Sequence, residues 1–491
     1  MYTIVDCYTD EPAGLGVPPY LGTYPRYIAG KIKTQEKKEV TYLTIDDLRL
    51  WHKYNGKIPI TKPSEKTDLS VYNLTKNHEN VPQILKATTK LIVVLGVHVP
   101  GKYLSAIPGN INELKRLLKD VSCEKILTGP GIYGTQLFGG KSAEKLDTSL
   151  FDTIEPSLFN IPYKEVTEYA IKGASLLKQI PDTRIMEIET GHGCDIGKCS
   201  FCTEPCKNKV EYRKQKDILE EMKALYKAGA RYFRIGKQSC FYSIPNPPKL
   251  LKDIHNVCPE LKVLHIDNVN PIKVVTDKNH SITKAIVKYC TSGNIAALGI
   301  ETFDPKVIKK NTLNCKPEVA MEAIKIINKY GQERGDSGMS KYLPGINILF
   351  GLPGETKQTH KLNMQYLNQI MDEGLMLRRI NIRQVAIYEG TKLQTMYKEL
   401  GSRKNKKYYW KWRNEIRQNI DFPMLQRITP KGTIMKDCYA EVYDGKTTFC
   451  RQFGTYPLIV GVKERLPLKQ FYDLRIKGHM LRSLIGDNVS G

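Results

Sequence analysis

The stretch ETGHGCDIGKCSFCTEP, from Glu189 to Pro205, places three cysteines within nine residues of a 491-residue chain. Cys194, Cys199 and Cys202 follow the spacing C-x4-C-x2-C. A two-residue gap lets neighbouring thiolates serve one metal centre, and Gly191, Gly193 and Gly197 let the loop turn tightly around it. Two kinds of centre suit the spacing. A structural zinc site needs a fourth protein ligand, for which Cys206 and His192 are the candidates. A cubane [4Fe–4S] cluster has four irons, and three cysteines leave one of them open to a small molecule.

The flanks decide where the loop sits. Upstream, TRIMEIET alternates as a short strand does; downstream, VEYRKQKDILEEMKALYKAGA carries apolar residues at helical intervals and stops at Gly229. The loop is therefore expected at the C-terminal mouth of a βα unit, where barrel active sites form. Apolar runs RYFRIG, KVLHIDNV, IAALGIET, GINILFGLPGET and RRINIRQVAIYEG follow at helix-length intervals, so six strands are expected with TRIMEIET included.

A chain this long, 41% hydrophobic, exceeds a single core and predicts two or three domains. It holds no uncharged apolar run of about 18 residues or more, and its start, MYTIVDCYTDEPAG, has acids where a signal peptide would be basic. A cytoplasmic protein without a membrane partner is expected. The 75 Lys+Arg against 51 Asp+Glu, a net charge of +24, suit nucleic acid or an acidic protein. The basic residues are spread along the chain, and KSAEKLD and EEMKALYKAG read as solvated helix faces, so nucleic acid is not the expected partner. Twelve scattered cysteines without secretory features argue against a disulfide framework.

With Phe201 as an aromatic before the last cysteine, the motif and the six-strand run resemble the radical S-adenosylmethionine (radical SAM) superfamily, whose usual loop is one residue shorter. The resemblance implies that Cys194, Cys199 and Cys202 ligate a [4Fe–4S] cluster and that S-adenosylmethionine chelates the fourth iron. An electron from an external donor then yields a 5′-deoxyadenosyl radical. It carries contacts with S-adenosylmethionine to Phe201, to Glu301 in LGIETFD, to Asn347 in GINILFGLPGET and to Gln384 in IRQVAIYEGTKL. The second strand ends in RIGKQSC where the family has Gly-Gly-Glu, leaving Gly236, Lys237 and Gln238 as the candidates there.

Ahead of the barrel, YTIVDCY, EVTYLTIDDL, KLIVVLGVHV and EKILTGPGIYG read as strands, RYIAGKIK as a helix, and glycine- and proline-rich turns recur. That describes a doubly wound parallel sheet with ligand contacts at the strands' C-terminal ends. No G-x-G-x-x-G or P-loop is present, and from the residues alone a cofactor-free or nucleotide-binding domain stays open. Placed before a radical SAM barrel, the turns PPYLGTYP, LGVHVPG and TGPG resemble the cobalamin-binding domain of that superfamily's cobalamin-dependent branch. Corrin contacts are thereby implied at Pro19, Tyr20, Leu95, Gly96, His98, Thr128, Gly129, Pro130 and Gly131. The cobalt-binding D-x-H-x-x-G motif is absent; its nearest string, DIHNVC at Asp253, lacks the glycine, and His52, His98 and Tyr103 are the remaining side chains to follow.

The expected architecture is α/β: an N-terminal Rossmann-like cobalamin-binding domain over 1–160, a partial (β/α)6 radical SAM barrel over 180–402, and a small C-terminal α+β segment over 403–491 with a part in substrate binding. In that last segment a strand pair turns at Asp444-Gly445 and a charged, helix-like tail follows. Cys438 and Cys450 lack a local C-x2-C pattern and read as buried, while KKYYWKWRNE reads as an amphipathic packing face, with a substrate groove as the alternative.

TDEPAGLGVPPYLGTYPRYIAG, ETGHGCDIGKCSFCTEP and RQFGTYPLIVGVKERLPL together extend the resemblance over nearly the whole chain, to an archaeal group of radical SAM enzymes. That group includes the methanogen enzyme that C-methylates the α-carbon of a glutamine in methyl-coenzyme M reductase. The resemblance thus implies a radical SAM C-methyltransferase acting on a protein, the α subunit of that reductase. A cobalamin-dependent methylase of a small molecule is one rival. A tRNA-modifying enzyme such as a methylthiotransferase is another, but that family carries a second cluster on three N-terminal cysteines, and only Cys7 and Cys123 precede Cys194 here.

Overall fold

The computed structural model describes residues 1–8, 20–57, 71–96, 106–134, 141–400 and 406–489. Strand β1 (Tyr2–Asp6) is followed by β2 (Tyr20–Leu21), which belongs to a different sheet, and then by β3 (Val40–Thr44), β4 (Lys90–Val94), β5 (Glu124–Thr128) and β6 (Thr153–Ile154). A wholly parallel sheet in the order β3-β1-β4-β5-β6 results. Such a sheet needs cover on both faces, and period-two alternation supplies an apolar set to each. Val5, Leu43, Leu91, Val93 and Leu127 pack with Leu48 and Leu114 of the helices Ile45–Tyr54 and Ile111–Leu118. Ile4, Tyr42, Ile92 and Val94 join the core that holds Ile28 and Ile32 of the helix Thr23–Gln35.

The second unit contains β7 (Ile185–Glu189), the short pair β8 (Gly191–His192) and β9 (Glu211–Tyr212), β10 (Tyr232–Gly236), β11 (Val263–Ile266), β12 (Asn294–Glu301), β13 (Tyr342–Phe350) and β14 (Arg379–Gln384). Strands β11-β10-β7-β2 form one parallel sheet and β12-β13-β14 another, joined by a parallel bridge between Val269 and Leu298. The expected six-strand order is present, with β2 added at the edge. Ile188, Phe233, Ile235, Leu264, Ile266, Leu298, Ile346 and Ile348 enter one large core with residues of the covering helices. Each such side chain contributes about 1.5–3 kcal/mol by leaving water. The intervening positions Glu187, Arg234, Glu301, Asn347 and Asn381 are polar and stand on the opposite, inner face.

The segment 20–35, expected within the first domain, packs instead against the second unit. Tyr20 and Leu21 pair with Ile185 and Met186 of β7. The helix Thr23–Gln35 crosses the helix Tyr163–Gly173 very closely because glycines meet backbone there: a Cβ on Gly30 would lie 1.8 Å from Tyr169 O, and one on Gly173 would lie 2.0 Å from Arg26 O. Local periodicity reports a strand and a helix but not which sheet they join.

After the helices Tyr409–Ile416 and Phe422–Ile428 come β15 (Ile434–Asp444), β16 (Thr447–Gln452), β17 (Ile459–Val462), β18 (Phe471–His479) and β19 (Leu484–Asn488), closed as a barrel in the order β15-β16-β17-β19-β18. The tail expected to be helical is strand: buried Leu474 and Ile476 alternate with exposed Arg475 and Lys477, a period of two that its charge content had obscured. Cys438 and Cys450 are free thiols buried in this small barrel. Its loop between β16 and β17 reaches the larger array beside β11 and the start of β14. Thr455 N donates to His265 Nδ1 at 3.1 Å, the Tyr456 hydroxyl to Asp267 Oδ1 at 2.8 Å, and Arg378 Nη2 to Tyr456 O at 2.5 Å. The C-terminal unit thus packs against the larger array. Among the described residues no helix is long and apolar enough to cross a membrane.

Candidate functional site

The cysteine loop leaves β7 at the mouth of the array and is pinched at its base by the antiparallel pair β8 and β9. Gly193 N donates to Glu204 Oε1 at 2.7 Å, Gly197 N to Cys194 Sγ at 3.4 Å, and Cys202 N to Cys199 O at 3.2 Å. The outer side is fastened to the chain beyond β12 and β14. Ser200 Oγ donates to Asn311 Oδ1 at 2.9 Å, Thr312 Oγ1 to Lys198 O at 2.5 Å, and Leu393 N to Ser200 O at 2.8 Å. Beneath the base, the carboxylate of Glu221 is fully buried between Arg26 at 2.6 Å and Arg213 at 2.5 Å, and Arg213 donates to Glu189 O at 3.0 Å. Burial acts to raise the Glu221 carboxyl, but Arg213 and Arg26 together hold it below its usual range. Arg213, Glu221 and Asn311 were invisible to sequence reasoning, since each acts across the fold and none belongs to a short motif; Glu204 stands within the cysteine stretch, but its bond to Gly193 N is not legible in the spacing.

The three thiols are partly exposed and free. Burial pushes Cys199 and Cys202 up to about 12, and the negative charge of Cys194 and Glu301 adds to this in both. Without a metal Cys199 and Cys202 therefore hold their protons, which metal binding releases. Neither proposed fourth zinc ligand turns toward them. Cys206 Sγ contacts Gly390 O at 3.5 Å, while His192 stacks 4.6 Å from the Tyr163 ring between Glu189 at 3.7 Å and Glu211 at 3.5 Å. Among the described residues no group of three or more His, Cys, Asp or Glu is gathered to hold a single metal ion. A cubane spreads its thiolates over different irons, so three thiols on one loop, without a fourth ligand, fit it better than a zinc knuckle.

Around the same mouth, Glu301 ends β12 with a left-handed backbone (φ 68°), and burial raises its carboxyl to about 7 against the opposing charge of Arg383. A non-glycine residue held there stores strain of a kind found at functional sites. Asn347 Oδ1 accepts from Asn381 Nδ2 at 3.0 Å, and Gln384 stands at the end of β14, opposite Phe350. Phe201 packs beside Leu352, Val385 and Leu393. Gly236 lies opposite Glu189, and a Cβ on it would meet Glu187 Oε1 at 3.1 Å. Lys237, also left-handed (φ 69°), sets its ammonium 3.9 Å over the Tyr24 ring. Gln238 differs from expectation: it is fully buried, accepts from Thr190 Oγ1 at 2.8 Å and donates to Ile235 O at 3.4 Å, so its amide is engaged within the protein.

Residues 188–366 match the model of the Radical SAM superfamily. The chain is 40% identical to the Methanocaldococcus jannaschii protein MJ0274 over 99% of its own length and 93% of that protein's. It belongs to the family of MJ0274 and carries a radical SAM domain. An uncharacterised Archaeoglobus fulgidus protein is 38% identical over 98% of the chain and 88% of its own length. A further M. jannaschii protein, MJ0865, provisionally named a methylthiotransferase, is 26% identical over 42% of the chain and 41% of its own length. In fold the chain resembles the radical S-adenosylmethionine methyltransferase TsrM from Kitasatospora setae, solved with cobalamin and a [4Fe–4S] cluster bound, with a TM-score of 0.51, 13% identity and coverage of 81% of this chain and 74% of that one. The radical SAM domain implies a [4Fe–4S] cluster and S-adenosylmethionine as cofactors, and Cys194, Cys199 and Cys202 are the side chains that suit the cluster.

Near the radical SAM domain stand the turns at the C-terminal ends of β4 and β5. Gly129 has φ 96° and lies so close to β4 that a Cβ would be 2.5 Å from Leu95 O; one on Gly131 would be 2.8 Å from Gly96 O. Gly131 N donates to Leu95 O and Leu95 N to Thr128 O, each at 2.8 Å, and the Thr128 hydroxyl is turned away to Glu155 O. Pro130 is buried in the same turn. The turn's continuation faces the cysteine loop: Lys207 sets its ammonium 5.4 Å over the Tyr133 ring. The segment beyond it bridges to the end of β14 through Ser142 and Ile387. Tyr20 was expected among these turns but lies on the second sheet, with the Arg234 guanidinium 5.9 Å from its ring. His52 is exposed on the helix Ile45–Tyr54, whereas Pro19, His98 and Tyr103 lie outside the described residues.

Proposed function

We propose that the chain is a cobalamin-dependent radical SAM methyltransferase that C-methylates an unactivated carbon of a protein, with the α-carbon of a glutamine in the α subunit of methyl-coenzyme M reductase as the favoured target and an external protein as electron donor. The observation that carries this is the apposition of two mouths. The glycine turn on β5 faces the cysteine loop across the contact of Tyr133 with Lys207. A cluster with S-adenosylmethionine supplies a carbon radical able to take hydrogen from an inert carbon, and cobalamin supplies a methyl carrier.

The chain's own residues supply position and seclusion. Cys194, Cys199 and Cys202 would hold the cluster on a loop clamped by Asn311, Thr312 and Leu393. Glu301 and Asn347 line the polar inner wall for the nucleoside side of S-adenosylmethionine, and Gly129 and Gly131 let the β5 turn pack directly on the backbone of Leu95 and Gly96, the two turns on which the corrin would lie.

The test is metal analysis of full-length protein purified without oxygen after expression with cobalamin. About four irons and about one cobalt per chain are expected, followed by transfer of a deuterated methyl group from labelled S-adenosylmethionine to a glutamine-containing peptide. Iron without cobalt would remove the methyl carrier from the proposal, and zinc in place of both would overturn it.

A further inference from the structure

The outer side of the cysteine loop is rimmed by lysines. Lys198 immediately precedes Cys199, Lys309 and Lys310 end the helix Pro305–Lys310, and Lys392 begins the helix Lys392–Leu400. All four are exposed, while Cys199 and Cys202 beside them are half-buried. Hydrogen bonds bring these segments to one place. Thr312 Oγ1 donates to Lys198 O at 2.5 Å and Thr312 N to Lys309 O at 3.3 Å, so one threonine joins the two lysines. Asn311 accepts from Ser200 Oγ on one side and donates to Pro353 O at 2.8 Å on the other. Lys310 lies across the turn after that proline, where a Cβ on Gly354 would meet its Cδ at 3.1 Å. Leu393, next to Lys392, donates its N–H to Ser200 O at 2.8 Å. Beneath the rim, Phe201, Val307, Leu352 and Leu393 pack in one apolar cluster that holds the segments together.

Acids close by in the chain are engaged elsewhere. Asp195 pairs with Lys273 at 2.6 Å, Glu389 pairs with Lys145 at 3.6 Å, and Asp304 accepts from Thr359 Oγ1 at 2.6 Å. Among the described residues Lys198, Lys309, Lys310 and Lys392 form no ion pair. Two other sides of the loop are occupied: β8 and β9 close its base, and Lys207 meets Tyr133 of the N-terminal unit. The lysine rim is a side that these leave open. A site for single-stranded nucleic acid adds aromatic faces on which bases stack. Here the aromatic ring of the loop, Phe201, is packed beneath the lysines instead.

We propose that the rim of Lys198, Lys309, Lys310 and Lys392 docks the external electron donor, an acidic one-electron carrier protein. The inference deepens the proposed function and rests on its external protein donor. Electron transfer through protein weakens steeply with distance, so a carrier must seat beside the cysteines that hold the cluster. In that contact the carrier is oxidised by one electron and the cluster is reduced by one; no bond and no proton changes hands. Redox partners meet through small, weak interfaces, for which a few flexible ammonium groups are enough. The net charge of +24 adds long-range attraction for an acidic carrier.

The test follows reduction of the cluster in full-length protein purified without oxygen, by electron paramagnetic resonance after rapid freezing. Two reductants are compared: a photoreduced ferredoxin of net negative charge, and dithionite, which needs no docking. Joint Lys309→Glu and Lys310→Glu should slow reduction by ferredoxin about tenfold or more, and Lys392→Glu about threefold. Rising salt should slow the unsubstituted protein in the same way. Lys310→Arg should retain most of the rate, and Lys252→Glu, exposed on the helix Pro247–Val257, should retain all of it. Iron content and a dithionite rate within about twofold of the unsubstituted protein show that each variant keeps its cluster. An unchanged ferredoxin rate in the double charge reversal, or a rate indifferent to salt, would overturn the proposal. So would tighter binding of single-stranded RNA than of ferredoxin through the same lysines, read by fluorescence anisotropy. The two proposals fail separately. Lysine-dependent reduction in a protein that transfers no methyl group keeps the rim and removes the methyltransferase; methyl transfer driven by ferredoxin at one rate in all variants does the reverse.

Discussion

Replacing Gly129 by alanine tests the β5 turn on which the proposed corrin site rests. Its backbone, φ 96° and ψ 168°, lies in a region almost restricted to glycine, so any side chain costs on the order of 1–3 kcal/mol. The added Cβ would also stand 2.5 Å from Leu95 O and 2.9 Å from Leu95 N, both backbone atoms of the residue that follows β4, which cannot rotate aside. Withdrawal of Leu95 loosens the bonds from Gly131 N to Leu95 O and from Leu95 N to Thr128 O, each worth about 1 kcal/mol net. Together these give a destabilisation of about 2–5 kcal/mol, read as a lower urea midpoint. Gly229→Ala is the matched control: its φ is 102° and nothing lies within 4 Å of the added Cβ, so only the backbone part of about 1–3 kcal/mol applies. Cobalt content should fall in Gly129→Ala while iron content is kept. Equal midpoints for the two variants would refute the steric argument, and normal cobalt in Gly129→Ala would show that the corrin does not lie on this turn.

Cys199→Ala should lose the iron absorbance and all reductive cleavage of S-adenosylmethionine, because neither Cys206 nor His192 is turned to replace the ligand; residual cleavage under anaerobic assay would contradict the assignment. Glu221→Gln leaves Arg26 and Arg213 buried without their shared carboxylate and should cost about 3–5 kcal/mol in urea unfolding, with a mild change being the contrary result. Glu301 should make the cofactor-free protein less stable as pH rises. Burial favours its neutral form, so the fold keeps a proton that the unfolded chain has lost; stability falls between about 4.5 and about 7 and then levels, by at most about 3 kcal/mol. Glu301→Gln should remove that slope from urea midpoints measured across this window, and an unchanged slope would assign it to another group.

The strands and the cysteine loop were legible because their signals are local. TRIMEIET, RYFRIG and GINILFG show their character in a few neighbouring residues, and three cysteines in nine residues announce a shared centre whatever surrounds them. The β18 strand was missed since Arg475 and Lys477 made a charged run of what is an alternation around Leu474 and Ile476. Gln238 looked available because the chain does not reveal that Thr190 and Ile235 consume its amide.

Strand rhythm and the spacing of Cys194, Cys199 and Cys202 determined that a shared metal or cluster centre sits on a βα loop and in what order the units follow, and the resemblance of those motifs to the radical SAM superfamily pointed to the class of chemistry. Tertiary structure alone decided that Tyr20 and Leu21 extend the second sheet, that Glu221 braces the cysteine loop from below, and that Thr455 and Tyr456 bond to His265 and Asp267 from nearly 200 residues away. Periodicity records how a segment buries one of its own faces. Which distant segment it is buried against depends on the packing of the whole chain, where a pair of glycines or one shared carboxylate settles the contact.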